Sequence, residues 1–114
     1  SGLKEEFEWA SENIYMEKFT YNTLESKVEE LITEPVYITI DLDVFDPSVF
    51  PGTGTPEPGG IDFHDMMKIV KILSKLENTV GLDVVELSPK HDASGVSTAV
   101  ACKTLRELVL ATIK

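Results

Sequence analysis

The sequence holds a single cysteine, Cys102, so no disulfide can form within the chain, and a reducing cytoplasm is the simplest setting. It has no apolar run approaching the length of a membrane span and no signal-peptide pattern, so no membrane is expected as a partner. Internal repeats and low-complexity tracts are missing as well. Positive charge is scarce: 10 Lys and Arg stand against 20 Asp and Glu, a net charge of -10. That balance argues against nucleic acid and anionic lipid and suits a cationic ligand or a metal. What remains is an ordinary globular composition, 42% hydrophobic and 26% charged, in 114 residues that allow one domain with a modest core. The chain opens at Ser1-Gly2 rather than at methionine, as a tag remnant or a cut inside a longer protein would.

The organising stretch is Tyr37-Ile38-Thr39-Ile40-Asp41-Leu42-Asp43, an apolar, β-branched run that ends in two carboxylates. Such runs read as buried strands, here residues 36–41. Two residues apart on an extended chain share a face, about 6.5 Å apart, so Asp41 and Asp43 are expected to project together beyond the strand. In open α/β sheets that end of a strand is where ligands bind. Two unpaired, desolvated carboxylates repel, and a cation removes that penalty.

Around this strand the spacing predicts helices and one further strand. Phe7, Ala10 and Ile14 mark a helix over 4–14, followed by a connector or short strand over 14–20. Asn22 and Glu25 resemble a capping box for a helix carrying Leu24, Val28, Leu31 and Ile32, which must stop before Pro35. A long structureless loop, Leu42 to Gly60, carries Pro47, Pro51, Pro56 and Pro58, and loops of that length are usually functional. Asp62 and Asp65 open a third helix with Phe63, Met66, Met67, Val70, Leu73 and Leu76 on its core face. A second strand, Val80 to Leu87, carries Glu86 near its carboxyl end, and a last helix runs from about Ser94. Strands alternating with helices imply βαβ units and a parallel sheet. So few strands cover a sheet poorly, and the domain reads as incomplete.

At Ile38-Thr39-Ile40-Asp41-Leu42-Asp43-Val44-Phe45-Asp46-Pro47-Ser48, and through Gly52-Thr53-Gly54-Thr55-Pro56-Glu57-Pro58-Gly59-Gly60, the chain resembles the ureohydrolases, the arginase and agmatinase family. The likeness continues through Gly81-Leu82-Asp83-Val84-Val85-Glu86-Leu87-Ser88-Pro89 and Asp92-Ala93-Ser94. The Thr-Pro-Glu-Pro-Gly-Gly stretch looks more like agmatinases than animal-type arginases. The resemblance implies a three-layer αβα fold with a mostly parallel sheet, of which residues 1–114 form the C-terminal part. It implies a binuclear Mn2+ site, with a metal-bound hydroxide as the nucleophile and no catalytic side chain beyond it. Asp41 and Asp43 match the family's Asp-x-Asp metal ligands. Glu86 matches the carboxylate that engages a substrate guanidinium, and Thr55 matches a threonine near that end of the pocket. The implied reaction hydrolyses a guanidino compound, agmatine to putrescine and urea, a step of polyamine biosynthesis. Guanidinobutyrate or arginine is the alternative substrate, and a non-catalytic family member the remoter reading. A cytoplasmic homo-oligomer, trimer or hexamer, is also implied. The family's Gly-Gly-Asp-His and Asp-Ala-His-x-Asp motifs do not occur in this sequence.

The residues read alone agree with this chemistry. Hard carboxylate oxygens suit Mg or Mn, and a carboxylate is the natural partner of a guanidinium fork. A phosphotransferring hydrolase with Asp41 as nucleophile is the competing class, and Phe45 together with the two preceding helices counts against it. Asp46 reads as a turn residue before Pro47. His64, in a first helical turn, is expected to be no ligand. His91 lies near the pocket mouth, Asp92 is expected to order that loop or a subunit contact, and Cys102 is expected in the core. The glycines of the loop suggest no phosphate cradle, because Pro56 and Pro58 remove amide donors. An incomplete sheet predicts that residues 1–114 produced alone fold poorly or aggregate. Calorimetry of the isolated chain checks this, and a single cooperative melt would contradict it.

Overall fold

The computed structural model describes residues 2–114; Ser1 lies outside them. Strands β1 (Val36–Asp41) and β2 (Thr79–Val85) pair in parallel, with Ile38 opposite Leu82 and Ile40 opposite Val84. Among the described residues four α-helices accompany them: α1 (Lys4–Asn13), α2 (Leu24–Glu30), α3 (Phe63–Leu73) and α4 (Val96–Thr112). This is the expected α/β arrangement of a small parallel sheet with helices, and the connector over 14–20 forms no strand. Among the described residues no helix is long and apolar enough to cross a membrane.

Alternation along the strands sorts the two faces of the sheet. Ile38 is buried in the core with Val28 of α2, Val70 and Leu73 of α3 and Leu108 of α4. The opposite face carries Tyr37, Thr39 and Asp83, where the Tyr37 hydroxyl donates to Asp83 Oδ2 at 2.9 Å and Thr39 Oγ1 to Asp83 Oδ1 at 2.6 Å. Val36 pairs with Thr79 but Tyr37 with Gly81, so Val80 is bulged out and exposed. The Tyr37 ring occupies the space above Gly81, where a Cβ would come within 2.8 Å of it.

The Asp62–Asp65 box closes α3 as expected: Asp62 Oδ1 accepts from the Asp65 N–H at 2.7 Å, and Asp65 accepts in return from Asp62. The Asn22–Glu25 box does not form. Thr23 occupies the cap position of α2, and the Glu17 carboxylate takes both the Thr23 N–H and its hydroxyl, so a residue upstream does the capping. The last helix starts at Val96 rather than Ser94, because Gly95 turns the chain with φ of 76°. Its buried stripe is Ser97, Ala101, Thr104, Leu108 and Thr112, which rotates Cys102 to the surface. Cys102 is therefore not a core residue. The helix is apolar on more than one face, so periodicity alone did not tell which face is covered.

The loop after β1 is also corrected: it is folded. A 3-10 turn over Leu42–Val44 opens it, and Phe45 pairs with Ile61 in an isolated parallel bridge. Leu42, Phe45 and Phe50 are fully buried, the two rings 5.9 Å apart. Asp46 organises the middle, accepting from the Ser48 hydroxyl, from the Ser48 N–H at 3.0 Å and from the Gly59 N–H at 2.9 Å. These donors, the Ser48 hydroxyl foremost, hold its carboxyl at about 2, below the ordinary 3.8. Gly60 crosses the loop's base so closely that a Cβ would lie 2.4 Å from the Val44 carbonyl oxygen.

Two outcomes follow for the full-length protein that carries this chain. Gly60→Ala, which meets rigid backbone, should lower stability by about 3 kcal/mol in denaturant titration. A carboxyl lowered on folding stabilises above its unfolded pKa and stops doing so as pH falls through the folded one. The difference in melting temperature between wild type and Asp46→Asn should therefore be level above about pH 5 and close toward about pH 2. A gap unchanged across that range would contradict the assignment.

Candidate metal and guanidinium site

Three carboxylates meet where the two strands end. β1 stops at Asp41, and the following 3-10 turn, not an extended chain, brings Asp43 back beside it. The Asp43 N–H donates to Asp41 Oδ1 at 3.2 Å, so the expected pairing is present through a different backbone. β2 stops at Val85, and Glu86 takes a left-handed φ of 69°, rare for a side-chain-bearing residue. That turn ends the strand one residue before Glu86 and two before Leu87, the expected limit. Burial pushes the Asp41 carboxyl up even though much of its surface is open, and the neighbouring Asp43 and Glu86 charges add to it. The Asp43 N–H works in the other direction. The charge crowding is thus felt at Asp41.

Thr55 reaches the same centre: its hydroxyl donates to Asp43 Oδ2 at 3.1 Å. Asp41, Asp43, Glu86 and Thr55, named from the sequence, therefore form one cluster although they come from three separate segments. The donors are all oxygens, the set a hard divalent cation takes. Asp41 and Asp43 fit part of a coordination shell. Among the described residues no group of three or more His, Cys, Asp or Glu side chains is arranged to hold a metal ion. A complete shell needs ligands from elsewhere.

His64 sits exposed on the first turn of α3. His91 lies on a 3-10 turn over Pro89–His91, where its Nδ1–H donates to the Thr53 carbonyl at 3.1 Å, tying the β2–α4 connection to the long loop. Asp92 orders its own connection, accepting from Ser94 and Ser97. A cavity of about 460 Å³ borders Asp43 and is walled by Phe19, Tyr21, Val44, Glu57 and Ile61. Sequence reasoning passed over Glu57, Phe19 and Ser97. Ser97 had a legible signal in the Asp92-x-Ser94-x-x-Ser97 spacing, whereas Phe19 reaches the cavity only through tertiary folding.

The Arginase family model matches residues 1–111. Agmatinase of Bacillus cereus is 44% identical over all of this chain, which covers 40% of that protein. Agmatinase of Pyrococcus horikoshii is 36% identical over 92% of this chain and 38% of its own length. The crystal structure of a putative agmatinase from Clostridium difficile superposes with a TM-score of 0.90 at 54% identity, over 97% of this chain and 41% of that one. Arginase from Bacillus caldovelox superposes at 0.78 with 27% identity, over 95% and 40%. The chain thus spans about 40% of the length of these relatives. Family model, close relatives and clustered carboxylates agree that this chain belongs to the arginase family.

Proposed function

We propose that the full-length protein carrying this chain hydrolyses a guanidino compound, with agmatine as substrate and putrescine and urea as products. The observation that carries the reading is the meeting of Asp41, Asp43 and Glu86 at the ends of two adjacent parallel strands, with Thr55 on Asp43. Relatives named agmatinase at 42–44% identity over this whole chain support the choice of agmatine. In this reading Asp41 and Asp43 hold part of a binuclear manganese centre, which when bound supplies an activated water at neutral pH. The remaining ligands come from outside this chain.

The chain's own residues then have separate tasks. Glu86 binds the guanidinium, accepting from its planar fork of N–H groups, and so fixes the orientation of the guanidino carbon. Its backbone departs from the strand conformation, with φ of 69°. Thr55 donates to Asp43 and holds that carboxylate's orientation. In the overall reaction water oxygen becomes the urea carbonyl, the C–N bond to the alkyl chain breaks, and the amine leaves with a proton. Excess negative charge favours an oligocationic substrate such as agmatine. A cytoplasmic homo-oligomer completes the proposal, consistent with the single free cysteine.

The test is urea release from agmatine, arginine and guanidinobutyrate by the manganese-loaded full-length protein. Agmatine should be turned over, and Asp43→Asn should lower kcat/KM by more than about a hundredfold, beyond what losing an outer-shell partner does. Urea from a different guanidine moves the substrate and keeps the chemistry. No urea from any of the three, with metal bound, overturns the proposal.

A further inference from the structure

The long loop carrying Thr55 is held by a group of residues that touches no metal-ligand candidate. Asp92 accepts four hydrogen bonds: Oδ1 from the Ser94 N–H at 3.0 Å and from the Ser94 hydroxyl, and Oδ2 from the Ser97 N–H at 2.8 Å and hydroxyl at 2.6 Å. Ser97 is wholly buried at the start of α4. With its proton committed to Asp92, its oxygen accepts from the Gly52 N–H at 2.7 Å. The Gly52 carbonyl in turn accepts from the Ser88 N–H at 2.7 Å, two residues past Glu86. The next carbonyl, Thr53, takes the His91 ring N–H at 3.1 Å. No side chain fits between: a Cβ on Gly52 would lie 2.6 Å from Ser97 Cβ and 3.1 Å from Asp92 Cβ. Three residues along from Gly52, Thr55 meets Asp43.

We propose that Ser97, oriented by Asp92, is a positioning residue: it fixes Gly52 and so holds the loop that sets Thr55 on Asp43, in register with the turn that carries Glu86. Capping α4 alone does not account for the arrangement. The Asp92 bond to the Ser97 N–H serves the first turn of α4, whereas the Ser97 hydroxyl, its proton on Asp92, accepts from the Gly52 N–H of the long loop. The same short turn thereby sets the spacing between the Asp43 and Glu86 sides of the cluster. The proposal rests on the guanidine-hydrolysing reading of that cluster.

The experiment is a double-mutant cycle in the full-length protein, with Ser97→Ala, Thr55→Val and the pair, followed by urea kinetics and by the Thr55 methyl resonance of labelled protein. Ser97→Ala leaves the helix cap in place and should lower kcat/KM by about 10- to 100-fold, the loss typical of an outer-shell partner. Because Ser97 acts through Thr55, the pair should fall no further than the worse single variant, and the Thr55 methyl resonance should move in Ser97→Ala. Losses that multiply, or a Thr55 resonance that stays put, overturn the proposal. If Ser97→Ala does not fold, Asp92→Asn takes its place in the same cycle. If the wild type releases urea from no guanidine, the functional reading fails, and the resonance alone decides the positioning claim.

Discussion

The meeting of Asp41, Asp43 and Glu86 where β1 and β2 end is the constraint that this end of the structure answers to. Burial disfavours the ionised form of Asp41 and pushes its carboxyl up, and the nearby Asp43 and Glu86 charges add to that. The local structure fixes where each carboxylate stands, and the Asp43 N–H bonds Asp41 directly. Asp43 is held by the 3-10 turn and by Thr55, and Glu86 by a backbone conformation it would not choose freely. The cluster is thus positioned by scaffold from three segments of the chain.

The long loop is where most of that scaffolding resides. Its buried rings, Phe45 and Phe50, give it a small core continuous with the main one, and Asp46 and Gly60 close its base. Its far end is fastened to the β2–α4 connection at Gly52 and Thr53. A segment rich in proline and glycine is thus ordered, because proline removes chain entropy and Asp46, Ser97 and the Thr53 carbonyl tie it at both ends.

Much of this was legible in the residues. The β-branched run at 36–41 and the apolar period of α3 read directly, since each pattern has one structural solution. The cluster of Asp41, Asp43, Glu86 and Thr55 was named from motifs and is one cluster in space. What escaped was decided by tertiary packing. Asn22 lost its capping role to Glu17, six residues before Thr23. Cys102 is exposed because α4 offers two apolar faces and packing selects one. The route by which Asp43 approaches Asp41 was misread, because an i, i+2 spacing fits a 3-10 turn as well as a strand.

The parallel pairing of β1 with β2 has a kinetic consequence. Thr39 and Asp83 are 44 residues apart in sequence, and the helix α3 lies between their strands. Parallel strands cannot zip from a hairpin, so this contact awaits closure of a long loop and belongs to the late, slow part of folding. Asp41 and Glu86 lie on those same two strand ends. Until the strands pair, Glu86 stays away from Asp41 and Asp43, which are neighbours in the sequence from the start. The three-carboxylate cluster is therefore a product of strand pairing and not of local chain geometry.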